Sequence, residues 1–220
     1  MKYILLFSLT ILLTSCLEII EEVDLKNDGS GKLSYTLNLS QSKTKINSVM
    51  LLDSINGQKI PTQAEIKLKL NEVIDLINDT DGISNVSKSL DFSNYIFKFS
   101  CDFSNPEALN RATVIVKNEY RIKDPYANSD DHYTFSSSSK TFRRKGDYQG
   151  QADLDKIKEE DLALVEKAQY TGIYRFESEI ASASNTDTKI SPNKKAAMLR
   201  YKAVDLATGK KQIENTITLK

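Results

Sequence analysis

Leu33-Ser34-Tyr35-Thr36-Leu37-Asn38-Leu39 carries an apolar side chain at every odd position and a polar one at every even position. That period of two is the mark of a strand with one face buried. Just before it, Leu17, Ile19, Val23 and Leu25 share one face of a second alternating segment, interrupted by Glu21. Between the two lies Asn27-Asp28-Gly29-Ser30-Gly31, rich in residues that tolerate turn geometry. The three pieces together predict a long β-hairpin at the head of the folded chain.

Outward from this hairpin the period changes. Ile46, Val49, Met50 and Ile55 fall near helical spacing until Asn56-Gly57 ends the run. After Pro61 and Thr62, the residues Ile66, Leu70, Val73, Ile74 and Ile77 form one apolar stripe, with Lys67, Lys69, Asn71 and Asp75 outside it. A second hairpin is predicted over 83–92 and 95–103, turned at Ser93-Asn94. Asn105-Pro106-Glu107 then starts a helix, with a capping side chain, a proline suited to the first turn and an acid that the helix dipole favours. That helix should turn Leu109, Ala112, Thr113 and Val116 inward and end near Tyr120.

Residues 123–131 read as a polar loop. Tyr133, Phe135 and Phe142 mark a third hairpin turned through 136–140, and a helix opens at Ala152 or Asp153 with Leu154, Ile157, Leu164, Val165 and Ala168 on one side. Tyr174, Phe176 and Ile180 predict one strand, 182–193 a loop, and Ala197, Leu199, Tyr201 and Ala203 another strand. Leu206-Ala207-Thr208-Gly209-Lys210 turns the chain into a last strand over 213–219. Hairpins separated by single helices predict an α+β fold, with helices on one face of an antiparallel sheet. The recurring hairpin-helix unit permits two stacked subdomains with a boundary near 120–131.

The 220 residues carry 30 basic and 30 acidic side chains, so no net field draws the chain to nucleic acid. The hydrophobic share of 40% and charged share of 27% suit a globular domain with a sizeable core. The N-terminus differs: Met1-Lys2 precedes about eleven mostly apolar residues, the pattern of a secretory signal rather than of a span, which needs about 20. Leu13-Thr14-Ser15-Cys16 at its end resembles the lipobox of bacterial lipoproteins. The resemblance implies a signal peptide over 1–15, cleavage before Cys16, diacylglycerol on its thiol and a further acyl chain, such as palmitate, on the new amino group. Two or three chains anchor a protein durably where one holds it marginally. An ordinary secretory signal with a chance cysteine is the bland reading.

No catalytic, metal or cofactor site is expected. Cys101 sits in Tyr95-Ile96-Phe97-Lys98-Phe99-Ser100-Cys101-Asp102-Phe103, on the apolar face of a strand, and reads as a small core residue. Asp79-Thr80-Asp81-Gly82 opens like a calcium loop, but its fifth residue is Ile83 and its twelfth Leu90, neither of them a ligand. Ser129-Asp130-Asp131-His132 reads as a solvated loop rather than a ligand set. Arg143-Arg144-Lys145 is shorter than the basic clusters that bind anionic lipid, and reads as a charged strand end. Ser136-Ser137-Ser138-Ser139 lacks the surroundings of a nucleophile elbow.

Cys16-Leu17-Glu18-Ile19, Asn27-Asp28-Gly29-Ser30-Gly31, Tyr35-Thr36-Leu37-Asn38-Leu39, Gly82-Ile83-Ser84-Asn85-Val86 and Asn105-Pro106-Glu107-Ala108-Leu109-Asn110 resemble a group of uncharacterised lipoproteins from Bacteroidetes-type bacteria. More distantly the start is similar to the LppM-like lipoprotein domain. The resemblance implies an α+β envelope domain that binds a partner or lipid rather than catalysing a reaction. Leu17 is not the aspartate that retains lipoproteins in the inner membrane of some Gram-negative cells, which favours the outer membrane and leaves the leaflet open. The expectation is a lipid-anchored, non-enzymatic envelope protein presenting its domain to a partner. The alternatives are a module for an apolar ligand, with a cavity built from Phe97, Phe99, Ile74 and Tyr174, and a hydrolytic or metal-dependent envelope enzyme.

Overall fold

The computed structural model describes residues 17–55, 57–121, 131–146 and 166–220. The chain is α+β. The first hairpin forms as its alternation predicts: β1 (Glu18–Leu25) and β2 (Gly31–Asn38) pair antiparallel, with Glu21 opposite Tyr35 and Val23 opposite Leu33. Gly29 in the turn has φ 87°, a conformation that costs glycine little and a branched residue much.

A short helix, α1 (Lys43–Val49), and a two-residue hairpin, β3 (Ser54–Ile55) with β4 (Gln58–Lys59), lead to α2 (Gln63–Asn78). The start of α2 is fixed by a capping box. The Thr62 hydroxyl accepts from the Glu65 backbone N–H, and the Glu65 carboxylate accepts from the Thr62 N–H. The hairpin of β5 (Ile83–Asp91) and β6 (Ile96–Phe103) follows, then α3 (Pro106–Glu119), whose first turn is closed by Asn105 Oδ1 accepting from Ala108 N at 3.0 Å. The third hairpin is β7 (Tyr133–Ser136) and β8 (Thr141–Arg144). After it come β9 (Gln169–Phe176), β10 (Ile180–Ala183), β11 (Lys189–Ile190), β12 (Ala196–Lys202), α4 (Ala203–Ala207) and β13 (Asn215–Leu219).

Seven strands form the main sheet in the order β11-β12-β9-β1-β2-β6-β5, and four form a smaller one in the order β10-β13-β8-β7. The main sheet is mixed rather than antiparallel throughout, because β1 and β9 run parallel from Glu18 beside Gln169 to Leu25 beside Phe176. Adjacent hairpins announce antiparallel neighbours, whereas a parallel pair joined across some 140 residues of chain leaves no local trace. Strands from both sides of residues 120–131 therefore lie in one sheet.

Other details also differ from expectation. Phe176 and Ile180 do not share a strand: the chain leaves the main sheet after Phe176 and enters the small one at Ile180. The expected loop over 182–193 contains the end of β10 and all of β11, and α4 precedes the turn at Thr208-Gly209. The helix expected from 152 to 168 and the loop at 123–131 fall mostly outside the described residues.

One face of the main sheet carries the core. Over β1, β9 and β12 lies the small sheet, with Phe142 fully buried and its ring 5.5 Å from Tyr174 and 5.6 Å from Phe176. Over β2, β6 and β5 lie α2 and α3. The two covers meet where buried Asn110 of α3 accepts from His132 N and Tyr133 N and donates to Tyr133 O. The opposite face mixes half-buried Ile20, Ile173 and Met198 with exposed ion pairs, Arg175 bridging Glu22 and Asp24 and Arg200 reaching Glu18. Such exposed pairs contribute about 0–1 kcal/mol each.

Candidate functional site: an apolar cavity beside a buried ion pair

The two covers behave differently. Under the small sheet Phe142, Tyr174 and Ile217 are fully buried. Under α2 burial is incomplete: Leu70, Val73, Ile74 and Ile77 line the space over the sheet as their spacing predicts, yet no residue of α2 is buried. Between helix and sheet lies a cavity of about 510 Å³ that is open to solvent on one side. Its floor is Leu33, Tyr35, Leu37, Phe97, Phe99 and Cys101, and its roof is Leu70, Val73, Ile74 and Ile77 of α2 with Leu109, Ala112 and Val116 of α3. A core of this composition would ordinarily close to crystal-like density, so a hollow of that size is a feature to explain. It falls inside the range of about 300–1,000 Å³ typical of small-molecule pockets.

The uncharged polar groups on the lining are Thr113, Cys101 and Tyr35. The Thr113 hydroxyl donates to Leu109 O at 2.9 Å. Burial pushes the Cys101 thiol up to about 12, so it stays protonated and inert. The charged residues on the lining are Lys88, Lys98 and Lys117, and Lys88 donates to Asn71 Oδ1. The interior therefore offers methylene-like contact, with positive charge confined to three side chains.

Tyr35 belongs to the cavity wall and to a second feature. Its hydroxyl donates to Glu21 Oε2 at 3.1 Å and lies 2.8 Å from the Tyr133 hydroxyl. Glu21 is 1% exposed, and Arg144 of β8 meets it through Nε to Oε1 at 2.8 Å and Nη2 to Oε2 at 2.9 Å. The Tyr174 hydroxyl donates to Oε1 at 3.2 Å, and the Arg144 guanidinium lies 4.7 Å from the Tyr133 ring centre. Burial alone would raise the Glu21 carboxyl, but the adjoining guanidinium and these hydrogen bonds outweigh it and hold the group below the usual carboxylate range. Burial and the Glu21 charge push the hydroxyls of Tyr133, Tyr170 and Tyr174 well up, so they act as neutral donors.

The sequence-derived candidates separate clearly. Cys16 lies outside the described residues. Phe97, Phe99 and Ile74 do line one cavity, but Tyr174, grouped with them, lies under the small sheet against Phe142. The basic run is not a uniformly charged strand end: Arg143 pairs with Glu214, Arg144 is buried on Glu21, and Lys145 lies 3.4 Å from Asp131. Asp79-Thr80-Asp81-Gly82 closes α2, with the buried Thr80 hydroxyl donating to Leu76 O, and Ser136 and Ser138 bond to each other in a turn. Among the described residues no group of three or more His, Cys, Asp or Glu is placed to hold a metal ion. Glu21 and Arg144 are the pair that sequence reading missed. The signal was present in the alternation of β1, which puts residue 21 on the apolar face.

No family model matches the chain, and no curated protein is similar to it. Among solved structures it is similar to the folded domain of the Mycobacterium tuberculosis LppM protein, determined by NMR, at a TM-score of 0.41 and 9% identity, over 94% of this chain and 92% of that one. Among the described residues no helix is long and apolar enough to cross a membrane.

Proposed function

We propose that this chain is a lipid-anchored, non-enzymatic envelope protein whose domain takes up the apolar part of an amphiphile, with an acyl chain between α2, α3 and the main sheet. The observation that carries the ligand is the cavity itself: about 510 Å³ with an apolar floor and roof. An apolar hollow of only about 150 Å³ stays dry and admits benzene. Each methylene moved from water contributes about 0.8 kcal/mol, so ten would supply about 8 kcal/mol before the costs of ordering. Association itself costs about 4 kcal/mol or more, so a micromolar complex takes about fifteen methylenes. Lys88, Lys98 and Lys117 favour an anionic headgroup.

The anchor rests on Leu13-Thr14-Ser15-Cys16 and on the resemblance of the N-terminal residues to lipoproteins of Bacteroidetes-type bacteria. Leu17, where an aspartate would signal retention, favours the outer membrane over the inner. The ligand reading is preferred to docking of a protein partner because it accounts for a specific hollow, whereas a partner surface would leave that hollow unexplained.

A fluorescence titration tests it. A naturally fluorescent polyene fatty acid should brighten on binding the full chain with micromolar affinity and be displaced by an unlabelled fatty acid. Val73→Trp, which fills the roof, should abolish the signal while leaving thermal unfolding cooperative. Equal binding by the wild-type and filled proteins would overturn the assignment.

A further inference from the structure

The end of the main sheet from which β1 starts is set by register. Glu18, Asn38, Ile96, Asp91, Gln169 and Lys202 all lie there. Pairing begins even earlier, since Gln169 N donates to Leu17 O at 2.8 Å. Cys16 is one residue further, about 3.8 Å along the chain. An acyl group on Cys16 would therefore bring this end of the sheet to the bilayer surface, with no tether to hold it away.

The segment between β2 and α2 occupies the same end. It leaves the sheet at Leu39, whose N–H bonds Tyr95 O, and it is held there by the Tyr95 hydroxyl donating to Asn47 Oδ1 at 2.5 Å. It returns at the start of α2, where Lys67 lies over the ring of Phe92 in the turn between β5 and β6. Residues 40–52 carry Lys43 and Lys45 and no acid. Helix α1 buries none of its residues. At the tip Leu51 is 86% exposed and Leu52 50% exposed. Adjacent leucines in water are costly surface, and a short apolar tip backed by lysines is the composition that settles at a headgroup boundary.

We infer that Leu51 and Leu52 insert into the same leaflet that holds Cys16, making a second membrane contact that fixes the orientation of the domain. The occupant is a phospholipid leaflet, because the chain runs out toward its anchor at this end, and the two lysines suit an anionic one. This rests on the anchor proposed for Cys16. The contact does not depend on the cavity being filled.

The test uses the full chain in phosphatidylethanolamine–phosphatidylglycerol vesicles, with a nitroxide on Leu51→Cys or, as control, on Lys195→Cys in the turn at the opposite end. Cys101 is buried and Cys16 acylated, so the label goes to the introduced thiol. Intact mass is read first, and a chain without acyl mass overturns the anchor and this contact together. For an acylated chain, the ratio of oxygen to nickel-chelate collisions should be several-fold higher at 51 than at 195. Equal ratios, with both labels in water, overturn the contact alone. A label at 51 shielded from oxygen and nickel alike means that protein covers the tip, in a second copy or another chain, and also overturns it.

Discussion

Arg144 closes on Glu21 with both nitrogens of one guanidinium edge, joining the small sheet to the centre of the main one through a pair whose side chains are 10% and 1% exposed. The fork geometry fixes the sheets in one register, because two parallel hydrogen bonds tolerate neither a slip nor a rotation. Removing one partner strands the other charge, which costs about 3–5 kcal/mol, whereas replacing both with apolar residues is often near neutral. Glu21→Leu and Arg144→Leu should each lower stability by about that amount in urea unfolding, and the double variant should recover much of it. Additive losses would show that the two groups do not depend on each other.

The same pair sets a pH dependence. Folding holds the Glu21 carboxyl below its ordinary value, so its contribution is complete above the unfolded glutamate value of about 4.3 and is lost as the pH falls from there through the folded value. Stability measured between pH 6 and the acid limit should therefore fall more steeply for the wild type than for Glu21→Gln. Identical slopes would remove Glu21 from the acid response.

Gly172 lies beside Glu21 in the parallel register. A Cβ built there would stand 2.8 Å from the Tyr174 hydroxyl and 3.1 Å from that of Tyr170. Both are ends of stiff rings, and Tyr174 is held by Glu21. Gly172→Ala should cost about 1–3 kcal/mol in urea unfolding through this crowding, although strands ordinarily prefer alanine to glycine. A gain in stability would mean that the hydroxyls move aside freely.

Cys101, 1% exposed on the cavity floor, should not react with an aromatic disulfide reagent in the native state and should react fully once unfolded. Burial pushes the folded thiol up to about 12, while an unfolded one titrates at about 8.5. The raised value means that the thiol's contribution is complete below the unfolded value and declines as the pH rises toward the folded one. Rapid native labelling at pH 8 would contradict the burial.

Much of this fold is legible in the chain because its elements are locally marked. The alternation in 33–39 and 95–103, the stripe of α2 and the Asn105-Pro106 cap each state an element and its inward face. Two things were not legible. The parallel pairing of β1 with β9 depends on residues some 150 positions apart. The partnership of Glu21 and Arg144 depends on it in part, since a charge on an apolar face announces only that a partner is needed. The cavity was partly readable: Phe97, Phe99 and Ile74 are inward residues of elements that face each other. Whether those residues meet or stand apart is a matter of a few ångströms in the placement of α2, which no spacing encodes.

Photo-crosslinking tests whether an acyl chain lies between α2 and the main sheet. A fatty acid bearing a diazirine along its chain, irradiated with the full-length protein in vesicles, should insert into peptides covering 70–77 and 97–101 and be competed by unlabelled fatty acid. Labelling spread over the outer face of the sheet, or none that competes, would contradict it.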